Sequence, residues 1–147
     1  MADTNQAPKD LIGFLDYYLV QKAPFQIPDS GRELIVKFGP WISLVLLVLT
    51  LPFVLLAFGL GTLGLPFYGY AYPTGFGLAV VTTLAWFALM IFALPGLFAR
   101  KRSAWTLVFY AELLSIASSL LSANIIGGLI GGLIGLYILF QIRGLYR

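Results

Sequence analysis

The chain has 147 residues, of which 60% are hydrophobic and 10% are charged, and its formal net charge is +3. Soluble domains have roughly 45–50% apolar and about 25% charged residues, so a soluble fold of this length could not bury so much apolar surface. Cysteine and histidine are both absent, which excludes disulfides, thiolate nucleophiles and the commonest metal ligand. The composition predicts an integral membrane protein, and we expect no metal site and no cofactor.

The chain begins with a polar stretch and a short amphipathic segment. Residues 1–8 lack the basic-then-apolar pattern of a cleavable signal peptide, so we expect a flexible tail here and no such peptide. From Lys9 to Lys22 the apolar residues recur at helical spacing, which predicts an amphipathic interfacial helix on the membrane surface or, alternatively, a helix packed on a partner protein. Its apolar stripe comprises Leu11, Ile12, Leu15, Tyr18 and Leu19.

The next helix carries a start signal. Ser30 and Glu33 have the spacing of a capping box, which predicts a helix beginning at Gly31. Gly39-Pro40 is a candidate break in that helix before it enters the bilayer. Residues 9–39 are therefore predicted to be cytoplasmic interfacial helices, and Trp41 stands where an interfacial tryptophan is typical.

Four apolar segments follow within residues 40–143, and each is about as long as a helix that crosses ~30 Å of hydrocarbon. The very short turn at Ser122–Asn124 forces the last two segments to be antiparallel neighbours. The predicted fold is an all-α integral membrane protein with four transmembrane helices, the third and fourth forming a tight antiparallel hairpin. The predicted spans are about 41–60, 76–98, 103–122 and 125–142.

Charge placement predicts the orientation. All basic residues lie in the N-terminal region, the second loop or the C-terminal segment, whereas the aromatic first loop (residues 61–75) and the third loop contain none. By the positive-inside rule, both termini should be cytoplasmic. A bacterial plasma membrane is the default expectation, because no targeting segment is visible. The basic residues are Lys9, Lys22, Arg32, Lys37, Arg100, Lys101, Arg102, Arg143 and Arg147, and Gln141, Arg143 and Arg147 are expected to lie in water.

A single acidic residue, Glu112, lies within the four predicted spans. It is about nine residues from the start of the third span, or roughly 13 Å at helical rise, near the bilayer centre. A carboxyl group at that depth usually faces protein, finds a hydrogen-bond partner or stays protonated. Ser115 and Ser119 follow on the same helix and predict a polar stripe, so these three residues are the candidate intramembrane site.

The fourth span contains two rows of glycine at four-residue spacing, a glycine zipper pattern that lets two helix backbones approach closely. The short turn predicts a register in which Glu112 lies level with Gly135, Ser115 with Gly132 and Ser119 with Gly128. We expect Glu112 to bond a backbone carbonyl, Tyr137, Thr50 or Thr82. The candidate helix-packing residues are Gly127, Gly128, Gly131, Gly132 and Gly135.

The second loop contains a compact basic turn, Arg100-Lys101-Arg102. Such a triplet can bind anionic lipid or the acidic surface of a partner, at about 1 kcal/mol per residue near the membrane. Alternatively, it acts only as the topology determinant of a short cytoplasmic loop. Nucleic-acid binding is not expected, because the other basic residues are scattered and offset by acidic ones.

Two functional classes remain open. The absence of histidine, cysteine and paired carboxylates favours a membrane protein that is not an enzyme: an accessory or scaffold subunit that packs through its Gly/Ser-rich helix faces into a homo-oligomer or with other membrane subunits. The alternative is a small proton- or cation-coupled transporter or channel that uses Glu112 as its protonatable site. An enzyme is disfavoured because Glu112 has no visible partner for acid–base or nucleophilic chemistry.

Overall fold

A computed structural model describes residues 10–63, 76–121 and 125–147, and every element in these ranges is helical. The N-terminal tail, most of the aromatic first loop and the turn at 122–124 lie outside the described residues. The elements in chain order are α1 (Leu11–Asp16), which continues as a π-helical turn (Tyr17–Gln21), α2 (Asp29–Leu63), α3 (Phe76–Phe98), α4 (Arg102–Leu121), α5 (Ile125–Gln141) and a 3-10 turn (Arg143–Leu145).

Three of these helices are long and apolar enough to cross a membrane: α2 over Asp29–Pro52, α3 over Val81–Phe98 and α4 over Arg102–Leu121. Helix α5 is also apolar, but its 17 residues extend only about 25 Å at helical rise. The helical architecture and these lengths are consistent with a location in the membrane.

Helix α2 is one continuous helix of 35 residues that passes through Pro40 and Pro52, so the candidate break at Gly39-Pro40 is not a break. Each proline removes only one backbone hydrogen bond, whereas ending the helix would leave several backbone groups without intrahelical partners. The predicted start is also wrong, because the helix begins at Asp29. Ser30 thus lies inside the first turn rather than at the cap, and Glu33 accepts from Arg100 in the turn between α3 and α4.

The connection between α3 and α4 is a tight turn centred on Arg100, whose φ of 52° is in the left-handed region. The amide of Lys101 donates to the carbonyl of Gly96 (2.8 Å) and the amide of Arg100 to that of Leu97 (3.1 Å). These two bonds form a Schellman motif, which ends α3 and satisfies its last carbonyls. A Cβ on Gly96 would lie 2.6 Å from the Cβ of Ala104, so the glycine lets α4 begin in close contact with α3.

Helix α4 packs against both α3 and α5, and α3 also packs against α2. Thr82 and Ser118 share a hydrogen bond of 3.2 Å between α3 and α4. Together with the close approach of Gly96 and Ala104, this bond shows that α3 and α4 run in opposite directions. The sequential order α2, α3, α4, α5 is therefore also an order of neighbours in space.

The main core lies at the end of the bundle where α3 joins α4. Its largest fully buried side chains are Trp105, Phe109 and Phe140. The Trp105 and Phe109 rings are stacked 5.6 Å apart, and Phe140 meets both edge-on at 5.3 and 5.8 Å. Such aromatic pairs contribute about 0.5–1.5 kcal/mol each beyond the area they bury, so this end of the bundle is the most firmly packed.

The N-terminal segment packs on this core, and the predicted apolar stripe divides between two environments. Ile12, Leu15 and Leu19 contact the core, whereas Leu11 is 57% and Tyr18 is 47% exposed. Part of the stripe is thus buried by the chain's own helices rather than by lipid or a partner protein. Only its remaining face is available to the membrane surface.

Candidate functional site

Glu112 is half-buried on the face of α4 that packs against α5. Its carboxylate lies against Gly135, where even a Cβ would overlap it. The three hydroxyl groups considered as its partners bond elsewhere. Thr50 donates to Leu46 O (2.6 Å), Tyr137 donates to Phe25 O, and Thr82 pairs with Ser118. Among the described residues, no hydrogen bond to the Glu112 carboxylate is formed.

The register between α4 and α5 matches two of the three predicted pairs: Glu112 contacts Gly135 and Ser119 contacts Gly128. Opposite Gly132, however, the structure places Ile116 rather than Ser115. Helical residues advance by about 100°, so positions four and seven after Glu112 lie within about 40° of it, whereas Ser115 lies about 60° to the other side. Ser115 therefore does not belong to the α5-facing surface.

Ser115 instead lines a hydroxyl-rich cleft of about 210 Å³ between α3 and α4. Ser119 lines the cleft and also contacts Gly128 on α5, so it connects the predicted serine stripe with the predicted glycine rows. The serine stripe is thus shared between two helix interfaces rather than directed at one. The polar side chains of the cleft are Thr82, Thr83, Ser115, Ser118 and Ser119.

The two glycine rows of α5 have different environments. Gly128 and Gly132 are buried against α4. Gly127 and Gly131 are exposed, and no atom lies within 4 Å of the position that a Cβ on Gly131 would take. Gly128 and Gly132 are thus used within the chain, whereas Gly127 and Gly131 form an open small-residue surface, which we call the outer glycine face.

The basic turn is largely engaged with its own chain. Arg100 pairs with Glu33 on α2 (2.5 Å), and Arg102 donates to Arg143 O (3.0 Å) while its guanidinium lies 5.3 Å from the Trp105 ring. Lys101 is exposed. The turn therefore ties the ends of α2, α3 and α5 together, which neither sequence interpretation of the triplet had anticipated.

Trp105 connects α4 with α5 and with the C-terminal turn, a role that the sequence analysis did not identify. Its indole Nε1–H donates to the carbonyl of Leu139 on α5 (2.8 Å), and the bond is buried. The guanidinium of Arg143 lies 5.3 Å from the same ring, close enough for a cation–π interaction. An aromatic residue at the start of an apolar span is typical of a membrane interface, so no sequence signal distinguished this packing role.

Gln141 was expected in water, but it is only 4% exposed, and the expectation is wrong. Its Nε2 donates to Leu19 O (3.1 Å), and its Oε1 accepts from Arg32 Nη2 (3.0 Å). The amide thus joins the N-terminal segment, α2 and α5, because a single glutamine can donate and accept at once. Nearby, Arg143 Nη1 donates to Asp16 Oδ1 (3.0 Å) with both side chains about three-quarters buried.

A cavity of about 940 Å³ lies between the N-terminal segment, the start of α2 and the C-terminal turn. Arg32, Arg102 and Arg143 line it together with Asp16 and Gln141. The Nε–H groups of Arg32 and Arg143 are buried and have no hydrogen-bond partner. Buried donors are almost always paired, so these two Nε–H groups are unusual among the described residues. We call the cavity the arginine cavity.

The C-terminal segment pairs with the basic turn through its backbone. The amide of Arg102 donates to Arg147 O (2.7 Å), and the amide of Arg147 donates to Arg100 O (2.9 Å). Tyr146 is buried between them. Its burial raises the pKa of the phenol above its ordinary value, and the positive charge of Arg100 partly opposes that shift.

Comparison with protein-family models, characterised proteins and solved structures gives no match. Within residues 10–63, 76–121 and 125–147, no three acidic side chains cluster in a way that could hold a metal ion. The distinctive features of the described residues are the half-buried Glu112 carboxylate, the outer glycine face and the arginine cavity.

Proposed function

We propose that the protein is a four-span membrane scaffold or accessory subunit without catalytic activity, which assembles with copies of itself or with other membrane subunits through the outer glycine face. The observation that carries the proposal is the exposure of Gly127 and Gly131 while Gly128 and Gly132 are buried. Without a hydrophobic drive between helices in lipid, association depends on close backbone packing, for which small residues four apart are suited.

The four-span arrangement places α5 across the bilayer beside α4, with both termini in the cytoplasm of a bacterial cell. Three contacts support it by bringing basic segments to one end of the molecule: Arg100 with Glu33, Arg102 with Arg143, and Gln141 with Leu19. At 17 residues, α5 is short for a span. Local thinning of the bilayer and long basic side chains at its end can accommodate that length.

Oligomeric state tests the scaffold proposal. Gly131→Leu should shift the purified protein from an oligomer or heteromeric complex to a single chain in native mass spectrometry, because leucine keeps two backbones apart. The matched control is Gly39→Leu, since a Cβ on Gly39 also meets no atom within 4 Å but lies on α2. A wild-type protein that is a single chain at every concentration and in native membranes would contradict the proposal, as would equal effects of the two substitutions.

Topology is tested separately, and the absence of native cysteine makes labelling simple. Lys101→Cys should react with a membrane-impermeant maleimide only from the cytoplasmic side, and Tyr70→Cys only from the other side. Reaction of both positions from the same compartment would exclude the four-span arrangement.

A second candidate function is proton- or cation-coupled transport through Glu112. The favouring observation is a half-buried carboxylate without a hydrogen-bond partner among the described residues, on the helix that also lines the hydroxyl-rich cleft. Intramembrane ionisable groups commonly mark ion pathways. In proteoliposomes, Glu112→Gln should abolish proton-coupled flux and leave assembly intact, while Glu33→Gln outside the bilayer should leave flux unchanged. Failure of wild-type protein to carry protons or cations would contradict this candidate.

A further inference from the structure

We propose that the connector between the π-helical turn and α2 enters the acyl boundary of one leaflet, where Tyr137 holds it beside α5 and Phe25 contacts lipid. The connector comprises residues 22–28, which are not helical. The inference rests on the location of α5 in the bilayer, which is part of the four-span arrangement proposed above. It goes beyond that arrangement because it assigns a membrane depth and a lipid contact to a segment outside the four spans.

The bond between Tyr137 and Phe25 sets the depth of the connector. The Tyr137 hydroxyl donates to the carbonyl of Phe25. Tyr137 lies four residues before the end of α5 at Gln141, or about 6 Å inside the apolar helix at helical rise. Helical side chains lean toward the N-terminus of their helix, and in α5 that end lies away from the basic turn. The phenol therefore points toward the bilayer interior, and Phe25 lies deeper than the end of α5.

The backbone around the connector is supplied with donors from side chains. Three carbonyls accept such bonds: Leu19 O from Gln141 Nε2 (3.1 Å), Val20 O from Gln26 Nε2 (3.3 Å) and Phe25 O from the Tyr137 hydroxyl. Pro24 and Pro28 have no N–H that needs an acceptor. Water satisfies irregular backbone without such partners, whereas in lipid each unpaired group costs several kcal/mol. This supply of donors therefore suits the membrane boundary better than an aqueous surface.

The side chains that the segment presents outward suit the same boundary. Phe25 is 80% exposed, and Phe14 and Tyr18 are exposed on α1 and the π-helical turn, with their rings 4.7 Å apart. The Lys22 ammonium lies 5.5 Å from the centre of the Tyr18 ring. Tyrosine and lysine at the headgroup level keep their apolar parts in the acyl region and their polar ends in the headgroups.

The other side of the segment is already occupied by the chain's own helices. Ile12, Leu15 and Leu19 contact the core, and the hydrogen bonds to Gln141 and Tyr137 hold the backbone on α5. The exposed rings therefore face away from the bundle. At the depth that Tyr137 imposes, the surroundings of a single chain are acyl chains, so lipid is the occupant of this face.

Single-cysteine variants of the full chain test the depth directly, because the sequence has no native cysteine. Phe25→Cys and Asp29→Cys are labelled with the fluorophore NBD and reconstituted in liposomes. Asp29 is the matched control: it is four residues away and its side chain is fully exposed, at 101%, so only a bilayer distinguishes the two positions. We expect the Phe25 label to lose quenching by aqueous iodide and to be quenched by lipids that carry a nitroxide near the top of the acyl chain. The Asp29 label should show the reverse.

The role of Tyr137 is tested in the labelled Phe25→Cys protein. Tyr137→Phe keeps the ring but removes the donor to the Phe25 carbonyl, so iodide quenching of the label should return. Tyr110→Phe is the matched control, because it removes a hydroxyl group from an exposed tyrosine on α4 and should leave the label protected. Equal effects of the two substitutions would exclude Tyr137 as the anchor and overturn the proposal.

The proposal is also overturned if iodide quenches the Phe25 label as strongly as the Asp29 label. A Phe25 label that is protected from iodide but not quenched by nitroxide lipids would overturn it too, because a second copy of the chain would then cover this face. Ile134→Cys, at an exposed position on α5, separates these results from the four-span arrangement. Iodide quenching at Ile134 would contradict that arrangement as well, whereas quenching at Phe25 alone would contradict only the lipid contact.

Discussion

The carboxylate of Glu112 occupies the space in which a side chain at Gly135 would lie. The glycine therefore does two things at once: it lets α4 and α5 approach closely, and it leaves room for an acidic group between them. This relationship makes the two residues a coupled pair, whose energies cannot be assigned to either one alone.

Because the two residues are coupled, a substitution at Gly135 should have opposite effects on stability with and without the Glu112 carboxylate. Gly135→Ala should lower the free energy of unfolding by about 1 kcal/mol, because the new methyl group displaces the carboxylate. In a Glu112→Ala background the same substitution should be neutral or stabilising, since alanine is the better helix former by about 0.8–1.0 kcal/mol. A double-mutant cycle by denaturant titration in mixed micelles measures the difference. Equal effects of Gly135→Ala in both backgrounds would show that the two residues are independent.

Trp105→Phe should destabilise the fold by about 1–3 kcal/mol. Phenylalanine retains most of the ring packing but removes the indole Nε1–H, which leaves the buried Leu139 carbonyl without its donor. The control is Trp41→Phe, because Trp41 is exposed and its ring packs on that of Phe98 in an edge-to-face arrangement. Thermal unfolding followed by near-UV circular dichroism provides the measurement. Matching losses of stability in the two variants would argue against the hydrogen bond as the cause.

Gln141→Leu should release the N-terminal segment while leaving the transmembrane helices in place. Leucine fills the space but cannot donate to Leu19 O or accept from Arg32. We expect hydrogen exchange across residues 11–28 to accelerate by roughly tenfold or more, as expected for a loss of about 1.4 kcal/mol or more. Gln21→Leu changes an exposed glutamine and serves as the control. Unchanged protection in Gln141→Leu would mean that the segment is held without this amide, by its apolar contacts, the Arg143–Asp16 pair and the Tyr137–Phe25 bond.

Tyr146 should make stability depend on alkaline pH. Burial raises the pKa of its phenol above the ordinary value of about 10. Its contribution is therefore fully present below the unfolded-state pKa and is lost as the pH rises through the folded-state pKa. Tyr146→Phe should flatten the stability profile above about pH 10, and Tyr18→Phe at an exposed position should not. Unfolding free energies measured across that range decide between the two outcomes.

Local sequence patterns predicted the parts of the structure that local physics controls. The helices at 76–98 and near 103–121 follow from uninterrupted apolar runs, since lipid-exposed backbone must be hydrogen-bonded within its own segment. The pairing of Glu112 with Gly135 follows from the short turn, which leaves little freedom in register. Ser115 was misplaced because counting residues along two helices ignores the rotation of side chains about each axis.

The parts that could not be predicted depend on residues far apart in the chain. Gln141 looks like the polar end of a span, and only its contacts with Leu19 and Arg32, separated from it by 122 and 109 positions, bury it. Proline rules suggested a break at Gly39-Pro40, but a proline removes only one backbone hydrogen bond, whereas a helix end would leave several backbone groups unpaired.

The bond between Gln141 and Leu19 also constrains the order of events during biosynthesis. The ribosome produces Leu19 well before Gln141, so this contact, which joins residues 122 positions apart, cannot form until α5 has been synthesised. The amphipathic segment must wait undocked while α2, α3 and α4 emerge. Docking of the amphipathic segment is consequently a late step in maturation, and α2, α3 and α4 must pack against one another without it.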